Sequence, residues 1–212
     1  MLNIKVFTFS PIQENTYILF NDKQQAIVID PGCYFPAEQD TLKEFFIKAA
    51  LKPTLLLNTH CHLDHVFGNK FIKDTYGLTL QIHADEEKML KYAPESGLKW
   101  GLPFDNYDGN IVYLAEGDII TLGDDSLEVI LAPGHSPGHI CFYNKAANYI
   151  IAGDVLFRGS IGRTDLPYGS HAQLLKNIEE KLFVLPNETV VYPGHGEKTT
   201  IGYEKRNNPF FQ

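Results

Sequence analysis

Six consecutive residues, from His60 to His65, include four side chains that commonly bind metal ions: His60, His62, Asp64 and His65. An apolar run at 55–57 lies just before them. Side chains at positions i and i+2 of an extended segment project to the same side, so His60 and His62 can bind one ion from the end of a strand. If the chain then turns into a helix, Asp64 and His65 face a second position. That is the geometry of a two-metal site, with ions roughly 3.5–4 Å apart.

Three further candidate ligands follow apolar runs later in the chain. His135 and His195 each come after a Pro-Gly pair, and Asp154 comes after Gly153. If the apolar runs are strands that end along one edge of a sandwich, their loops reach a common place, and glycine allows a sharp turn close to an ion. The pattern therefore predicts that these three residues and His60 meet at one edge.

The three cysteines are expected to be reduced thiols. Cys33, Cys61 and Cys141 are odd in number and widely spaced, which is typical of free thiols rather than of a disulfide framework. Cys61 lies between two candidate ligands, but in an extended segment its side chain points away from theirs. We expect Cys61 to pack in the interior and not to bind metal.

Apolar runs separated by turn residues predict the strands of the first half, at 4–8, 16–20, 26–29, 55–57 and 78–82. Apolar residues at helical spacing and helix-end signals predict helices at 36–51, at 64 to about 75, and at about 84–92. The segment 94–110, rich in Gly, Pro, Asp and aromatic residues, predicts a long surface loop that divides two halves.

The second half of the chain repeats this pattern of strands and helices. Its predicted strands are 111–114, 119–122, 127–132, 139–143, 149–152 and 189–192, with a helix at about 171–182 and a short helix near 200–205. Strands followed by helices in each half suggest two stacked sheets with helices on the outer sides. We expect one domain over residues 1–212, with its two halves joined near 94–110.

Composition and charge limit the classes of function. The chain of 212 residues is 44% hydrophobic and 21% charged, as is ordinary for a globular domain that buries its own core. Its formal net charge of −8 argues against binding to nucleic acid or to anionic membranes, which require clustered Lys and Arg. It has neither a signal-peptide pattern nor an apolar stretch of about 20 residues, so we expect a cytosolic protein without a membrane segment.

The motifs Thr59-His60-Cys61-His62-Leu63-Asp64-His65, Pro133-Gly134-His135, Gly153-Asp154 and Pro193-Gly194-His195 resemble, in that order and spacing, the metallo-β-lactamase superfamily. Within it, the chain resembles the glyoxalase II-like hydrolases over nearly its whole length. The resemblance implies an α+β fold, a four-layer αββα sandwich with the metal site at the edge between its two sheets.

The resemblance also implies which residue holds which ion. The first metal is expected on His60, His62 and His135, and the second on Asp64, His65 and His195, with Asp154 bridging both. Nitrogen and oxygen ligands suit two divalent ions, with zinc as the first choice and iron or manganese as alternatives.

Differences from other branches of the superfamily narrow the choice of branch that the chain resembles. Asp154 stands where the best-known zinc β-lactamases carry a cysteine, which disfavours antibiotic hydrolysis. His62 stands where flavodiiron proteins carry a glutamate. The segment 156–170 and the ending 199–210 look like the compact bacterial glyoxalase II-like clade. The Gly-Arg-Thr-Asp element at 162–165, however, also occurs in persulfide dioxygenases.

Four further side chains outside the ligand set are candidates for a role. Arg163 falls near a basic residue that meets the anionic part of the substrate in glyoxalase II relatives, and Arg158 is a weaker candidate for substrate binding. A structural salt bridge is the alternative for Arg163. His139 is expected to pack behind the ligands, with metal binding as the alternative, and His171 either caps a helix at the surface or has a functional role.

The leading hypothesis is hydrolysis of a small-molecule thioester, such as an acyl derivative of glutathione, by a metal-bound hydroxide. Asp64 is the catalytic candidate because a carboxylate beside that hydroxide could orient it and accept its proton. Human-type glyoxalase II has an additional helical domain that helps to bind glutathione, so the thiol carrier stays open. The alternatives are a persulfide dioxygenase with one iron on His60, His135 and Asp154, and a catalytically silent metal-binding module.

Overall fold

The computed structural model describes residues 2–212, so that only Met1 of the expected domain lies outside the described residues. The first sheet contains β1 (Asn3–Phe9), β2 (Glu14–Phe20), β3 (Gln25–Ile29), β4 (Lys52–Leu57), β5 (Leu80–His83) and β6 (Ile111–Leu114), in that spatial order. The strands β1 to β3 pair antiparallel, and the pairs from β3 to β6 are parallel.

The second sheet has the order β14-β13-β10-β9-β8-β7. Its strands are β7 (Ile119–Leu122), β8 (Asp125–Leu131), β9 (Ile140–Asn144), β10 (Tyr149–Gly153), β13 (Val190–Pro193) and β14 (Thr199–Thr200). A separate small hairpin consists of β11 (Leu156–Phe157) and β12 (Ser160–Ile161). The strands β11, β12 and β14 were not predicted, because two-residue strands carry no periodic signal.

Six α-helices accompany the sheets: α1 (Pro36–Lys48), α2 (Leu63–Val66), α3 (Asn69–Tyr76), α4 (Glu87–Lys99), α5 (His171–Asn177) and α6 (Ile201–Asn207). The helix α5 continues into a π-helical turn, Ile178–Leu182. A 3₁₀ turn, Ala84–Glu86, leads into α4.

The hydrophobic core has three parts, one between the two sheets and one under the helices on each outer side. On β3, Ile27 and Ile29 pack between the two sheets, whereas Ala26 and Val28 face the core that lies under α1, α3 and α4. On β9, Phe142 packs between the sheets, while its neighbours face the core under α5. Because successive side chains of a strand point to opposite faces, this pattern gives four layers. The predicted αββα sandwich is confirmed.

The predicted surface loop at 94–110 is wrong in its first part, because α4 continues through Pro94 to Lys99. Proline has no backbone N–H, so the carbonyl of Leu90, four residues earlier, loses its helical donor. The side-chain amide of Asn106 donates a hydrogen bond to that carbonyl at 2.7 Å. This replacement donor lets the helix continue past a residue that usually ends one.

Two further boundaries differ from the prediction. The strand β6, predicted within the second half, pairs with β5 in the first sheet. The chain therefore leaves the first sheet and enters the second only after residue 114. The single helix predicted from residue 64 to about 75 is divided into α2 and α3 around Gly68. The N–H of Gly68 donates to the carbonyl of Pro31, and a Cβ at this position would collide with Cys33. Close contact with the 31–33 loop therefore determines where the helix is interrupted between α2 and α3.

The state of the cysteines and the lengths of the helices bear on two predictions from the sequence. All three cysteines are buried and free, as predicted, and Cys61 lies in the interior. Among residues 2–212, no helix has the length and the apolar character needed to cross a membrane.

Candidate metal centre

The ends of four strands bring the seven expected ligands together at one edge of the sandwich. The loop after β4 carries His60 and His62 and leads into α2, which carries Asp64 and His65. The remaining three, His135, Asp154 and His195, follow β8, β10 and β13. All except His195 are buried.

Three imidazole nitrogens form the first donor group. The Nδ1 atom of His62 lies 2.8 Å from Nε2 of His135, and that Nε2 lies 3.2 Å from Nε2 of His60. With nitrogen–metal distances of about 2.0–2.1 Å, two nitrogens on one ion lie roughly 2.9–3.3 Å apart. The two distances lie within or just below this range, so the group is close to the spacing of ligands around a single transition-metal ion.

Asp64, His65 and His195 form a second donor group. The Oδ2 atom of Asp64 lies 3.1 Å from Nε2 of His195 and 3.7 Å from Nε2 of His65. The helix α2 places Asp64 and His65 in its first turn, directly after the extended residue His62. The turn from extended chain to helix separates the two pairs of ligands, as the sequence pattern predicts.

Asp154 lies between the two groups. Its Oδ1 atom is 3.5 Å from Nε2 of His65, in the second group, and its Oδ2 atom is 3.5 Å from Nε2 of His135, in the first. The Oδ2 atom also lies 3.7 Å from Nε2 of His195, in the second group. The carboxylate therefore lies between the two groups, and the bridging of two ions by Asp154 stays a prediction.

Contacts on the far side of the rings orient the histidines. The Nδ1 atoms of His135 and His195 lie 2.7 Å and 3.1 Å from the carbonyls of Arg163 and Gln13. Since a carbonyl only accepts, Nδ1 carries the hydrogen in both rings and Nε2 is free to bind a metal. The Nδ1 atom of His60 lies 3.1 Å from the hydroxyl of Thr59.

The donor atoms fit a bound metal. Among the described residues, Nε2 of His65 and Oδ1 of Asp154 are buried without a hydrogen-bond partner. Such atoms are costly in a protein interior unless a ligand contacts them. The seven donors are imidazole nitrogens and carboxylate oxygens, a combination that suits zinc, iron or manganese.

Burial and neighbouring charges set the protonation of these groups. Burial lowers the pKa of His60 well below its usual value and lowers that of His62 to about 3, so both rings are neutral and able to bind metal. Burial acts to raise the pKa of Asp64 and Asp154, but the charges and hydrogen bonds of the neighbouring histidines, His65 foremost, together outweigh it and lower both pKa values. The two carboxylates are therefore ionised at neutral pH.

Asp30 is a supporting residue that the sequence analysis missed. It is buried, its Oδ2 lies 3.1 Å from Nδ1 of His65, and it accepts hydrogen bonds from the backbone and the hydroxyl of Thr59 at 2.7 Å and 2.6 Å. Asp30 thereby orients His65 and the loop that carries His60. A signal exists in the sequence, since Asp30 directly follows a buried strand and precedes a Pro-Gly pair.

Glu86 is a second buried carboxylate that the sequence analysis missed. It accepts hydrogen bonds from the backbone of Cys61 and of Gly138, both at 2.7 Å, and from the hydroxyl of Ser136. It therefore joins the loop of His60 and His62 to the loop of His135. Burial raises its pKa, and the hydrogen bonds oppose that shift.

The expected packing role of His139 agrees with its position. Its ring stacks on that of His60, with centroids 4.7 Å apart, and its Nε2 accepts a hydrogen bond from the backbone of Asp154 at 3.0 Å. His171 is the exposed first residue of α5, and its ring contacts Phe210.

The start of β2 holds the His195 loop in place. The backbone N–H of Asn15 donates to the carbonyl of Gly194 at 2.7 Å, and the hydroxyl of Tyr17 donates to the carbonyl of Pro193 at 2.6 Å. Gly194 has no room for a side chain, because a Cβ there would collide with Asp154 and His65. The Pro-Gly pair is thus needed for the close approach of this loop.

A cleft of about 520 Å³ opens onto both donor groups. Asp64, His62 and His195 belong to its lining, and so does Arg163, whose expected role in substrate binding stays a prediction. Arg163 also makes a bidentate ion pair with Asp165, so the expected salt bridge is present as well. Arg158 is not in the lining, and its guanidinium lies over the ring of Tyr203.

Comparison with known proteins agrees with this geometry. The family model of the metallo-beta-lactamase superfamily matches residues 10–195. The hydroxyacylglutathione hydrolase GloC of Haemophilus influenzae is 36% identical over 99% of this chain and 98% of its own length.

Two solved structures show the same fold over nearly their whole length. BLEG-1, described as a B3 metallo-beta-lactamase, superposes with a TM-score of 0.91 at 35% identity, covering 99% of this chain and 100% of BLEG-1. TTHA1623, solved in a di-iron-bound form, superposes with a TM-score of 0.88 at 35% identity, covering 97% of this chain and 99% of TTHA1623.

Proposed function

The chain belongs to the metallo-β-lactamase superfamily, and from that family and its site we propose that it is a metal-dependent hydrolase of a small thioester, of the hydroxyacylglutathione hydrolase type. The observation that carries the proposal is the placement of Asp154 between two donor groups in the lining of a cleft. The similarity to GloC supports the choice of thioester.

We assign the seven ligands as the sequence suggested. The first divalent ion would be held by His60, His62 and His135. The second would be held by Asp64, His65 and His195, with Asp154 as a ligand for both. Two such ions would supply a water molecule of lowered pKa and would polarise the substrate carbonyl. Zinc is the first choice, and the di-iron form of TTHA1623 keeps iron as a second.

Asp64 has the position of a catalytic carboxylate. It lines the cleft, it is held ionised by His65 and His195, and its Oδ2 lies 3.1 Å from Nε2 of His195. It orients the attacking water and accepts its proton as the C–O bond forms. The C–S bond then breaks, and the proton goes to the departing sulfur, so the products are a carboxylic acid and a thiol.

Thiol release tests this proposal directly. The zinc-loaded protein is assayed with S-D-lactoylglutathione and with acyl thioesters of other small thiols, using a thiol-reactive dye. The three cysteines of the protein are buried, so they contribute little background. Metal-dependent thiol release supports the proposal, and its absence across the panel at full metal occupancy favours the silent module.

A mononuclear-iron persulfide dioxygenase is the second candidate. It is supported by the Gly-Arg-Thr-Asp element, whose Arg163 carbonyl lies 2.7 Å from Nδ1 of the expected iron ligand His135. The same protein loaded with iron is therefore tested with glutathione persulfide in an oxygen electrode. Persulfide-dependent oxygen consumption would replace the hydrolase proposal.

β-Lactam hydrolysis belongs in the same panel. Asp154 stands in place of a cysteine, which disfavours that activity, but BLEG-1 is described as a metallo-beta-lactamase and has the same fold. We expect a chromogenic cephalosporin to be a much poorer substrate than a thioester, by kcat/KM on the same sample.

A further inference from the structure

One face of α4 lines part of the cleft. Its residues recur at helical spacing and include apolar, aromatic and cationic side chains: Met89, Tyr92, Ala93, Ser96, Lys99 and the capping residue Trp100. We call this set the α4 face. It contains none of the seven expected metal ligands.

The rest of the lining is also rich in apolar side chains. Phe157, Ile161, Leu166 and Pro167 belong to it. A ligand that reaches the metal centre through this cleft therefore contacts a largely apolar lining.

Two cations line the cleft away from the ligands, and each pairs with a carboxylate that is not part of the lining. Among the described residues that line it, the charged side chains other than the metal ligands are Lys99 and Arg163, and no further carboxylate is present. Lys99 bonds Glu95 at 2.8 Å and the hydroxyl of Tyr92 at 2.9 Å. The pair with Glu95 is exposed, and exposed ion pairs are weak, so an incoming anion can compete for the ammonium group.

Trp100 places a large aromatic surface at this cleft. It is the only tryptophan in the sequence, and 58% of it is exposed. A large apolar side chain that is exposed at the rim of an apolar cleft is a common feature of ligand-binding sites. Leu98, on the other side of the same turn, is 70% exposed but does not line the cleft.

We propose that the α4 face is a substrate-binding subsite for a thioester with an apolar segment of several carbons and a terminal carboxylate. The apolar segment packs against Met89 and Trp100, and the carboxylate binds Lys99. This inference rests on the proposed thioester hydrolysis for its substrate class. The binding subsite itself follows from the shape, the apolar lining and the charge of the cleft.

Fluorescence of Trp100 tests the subsite without turnover. The zinc-loaded protein is titrated with three non-hydrolysable thioethers: 3-(hexylthio)propanoate, its methyl ester and 3-(methylthio)propanoate. We expect a saturable change in Trp100 emission with the first probe. Shortening the chain removes several buried methylenes and should weaken binding at least about tenfold. Neutralising the carboxylate should weaken binding about two- to fivefold.

Matched variants separate this subsite from direct binding of the carboxylate to metal. Lys99→Gln should abolish the preference for the acid over its ester, whereas Lys91→Gln, on the exposed side of α4, should keep it. No saturable change in emission, equal affinity for all three probes, or equal effects of the two lysine variants would overturn the proposal.

Kinetic measurements distinguish a failure of the subsite proposal from a failure of the proposed hydrolase function. Trp100→Ala should lower kcat/KM for a hexanoyl thioester about tenfold relative to the acetyl thioester of the same thiol, and Leu98→Ala should not. Thioester hydrolysis by the wild type without this difference would overturn the subsite alone. Absence of hydrolysis with probe binding as expected would overturn the proposed function alone.

Discussion

The Nδ1 atoms of the histidines decide which ring nitrogen faces the metal centre. His135 and His195 contact backbone carbonyls, His65 contacts Asp30 and His60 contacts Thr59, all through Nδ1. Only His62 presents Nδ1 to its own donor group. These contacts fix the rings before any ion binds, which reduces the entropy lost when a metal is bound.

Asp64 and Asp154 give the most direct test at the residue scale. Asp64→Asn removes the proposed proton acceptor and should lower kcat about 10²–10⁴-fold. Asp154→Asn removes one charge from the position between the two donor groups and should lower both activity and metal content. Metal analysis and thiol-release kinetics measure the two effects, with the exposed Asp124→Asn as control. Full activity in either variant would remove that residue from the mechanism.

Asp30 should affect metal affinity without contacting substrate. Asp30→Asn weakens the hold on Nδ1 of His65 and on Thr59, and loss of such a contact typically costs 10–100-fold in metal affinity. Competition with a fluorescent zinc chelator measures this, and Asp40→Asn, on the surface of α1, is the control. Unchanged zinc affinity would show that His65 is oriented by other contacts.

The seven ligand candidates could be found from the sequence, whereas Glu86 could not, and Asp30 is marked only by its position between a strand and a Pro-Gly pair. The run from His60 to His65 and the glycines before the other ligands form local patterns. Glu86 and Asp30 are single acids whose partners are 25 or more residues away along the chain. Only the folded chain brings these partners together, so spacing in the sequence carries no signal for Glu86.

At the scale of elements, Glu86 joins two metal-binding loops. Glu86→Ala leaves three buried donors without an acceptor, and each such donor costs about 1–3 kcal/mol. We expect a loss of several kcal/mol in the free energy of unfolding and weaker metal binding, measured by urea denaturation and zinc competition. The neighbouring Glu87→Ala is the control. A Glu86→Ala variant as stable as this control would contradict the role of Glu86.

The helix α4 shows why an element boundary was misplaced. Proline usually ends a helix, so the sequence indicated a loop from residue 94. The donor that replaces its missing N–H comes from Asn106, in a segment whose position depends on the whole fold. Side chains that satisfy a backbone group from a distance leave no periodic pattern.

Pro94 and Asn106 should therefore be energetically coupled. Asn106→Ala leaves the Leu90 carbonyl without a donor and should cost about 1 kcal/mol of stability. In a Pro94→Ala background the restored backbone N–H takes its place, so the same change should cost less. A double-mutant cycle by urea denaturation measures the difference. Additive effects would mean that Asn106 does not substitute for the missing donor.

At the scale of the whole molecule, the class of fold followed from the sequence but one strand was assigned to the wrong half. Alternating apolar residues identify strands and their buried faces, and strand ends predict where ligands meet. The strand β6 has the same pattern as its neighbours in the second half, yet it pairs with β5. Pairing between strands depends on the path of the intervening chain, here α4 and the 100–110 segment.

The proposed function requires that two metal ions act together in thioester hydrolysis. The most direct measurement is a titration of the metal-free protein with zinc, following thiol release from an acyl thioester under anaerobic conditions. We predict that activity reaches its maximum at two ions per chain and needs no oxygen. Maximum activity at one ion per chain, or turnover that requires iron, a persulfide and oxygen, would contradict the account.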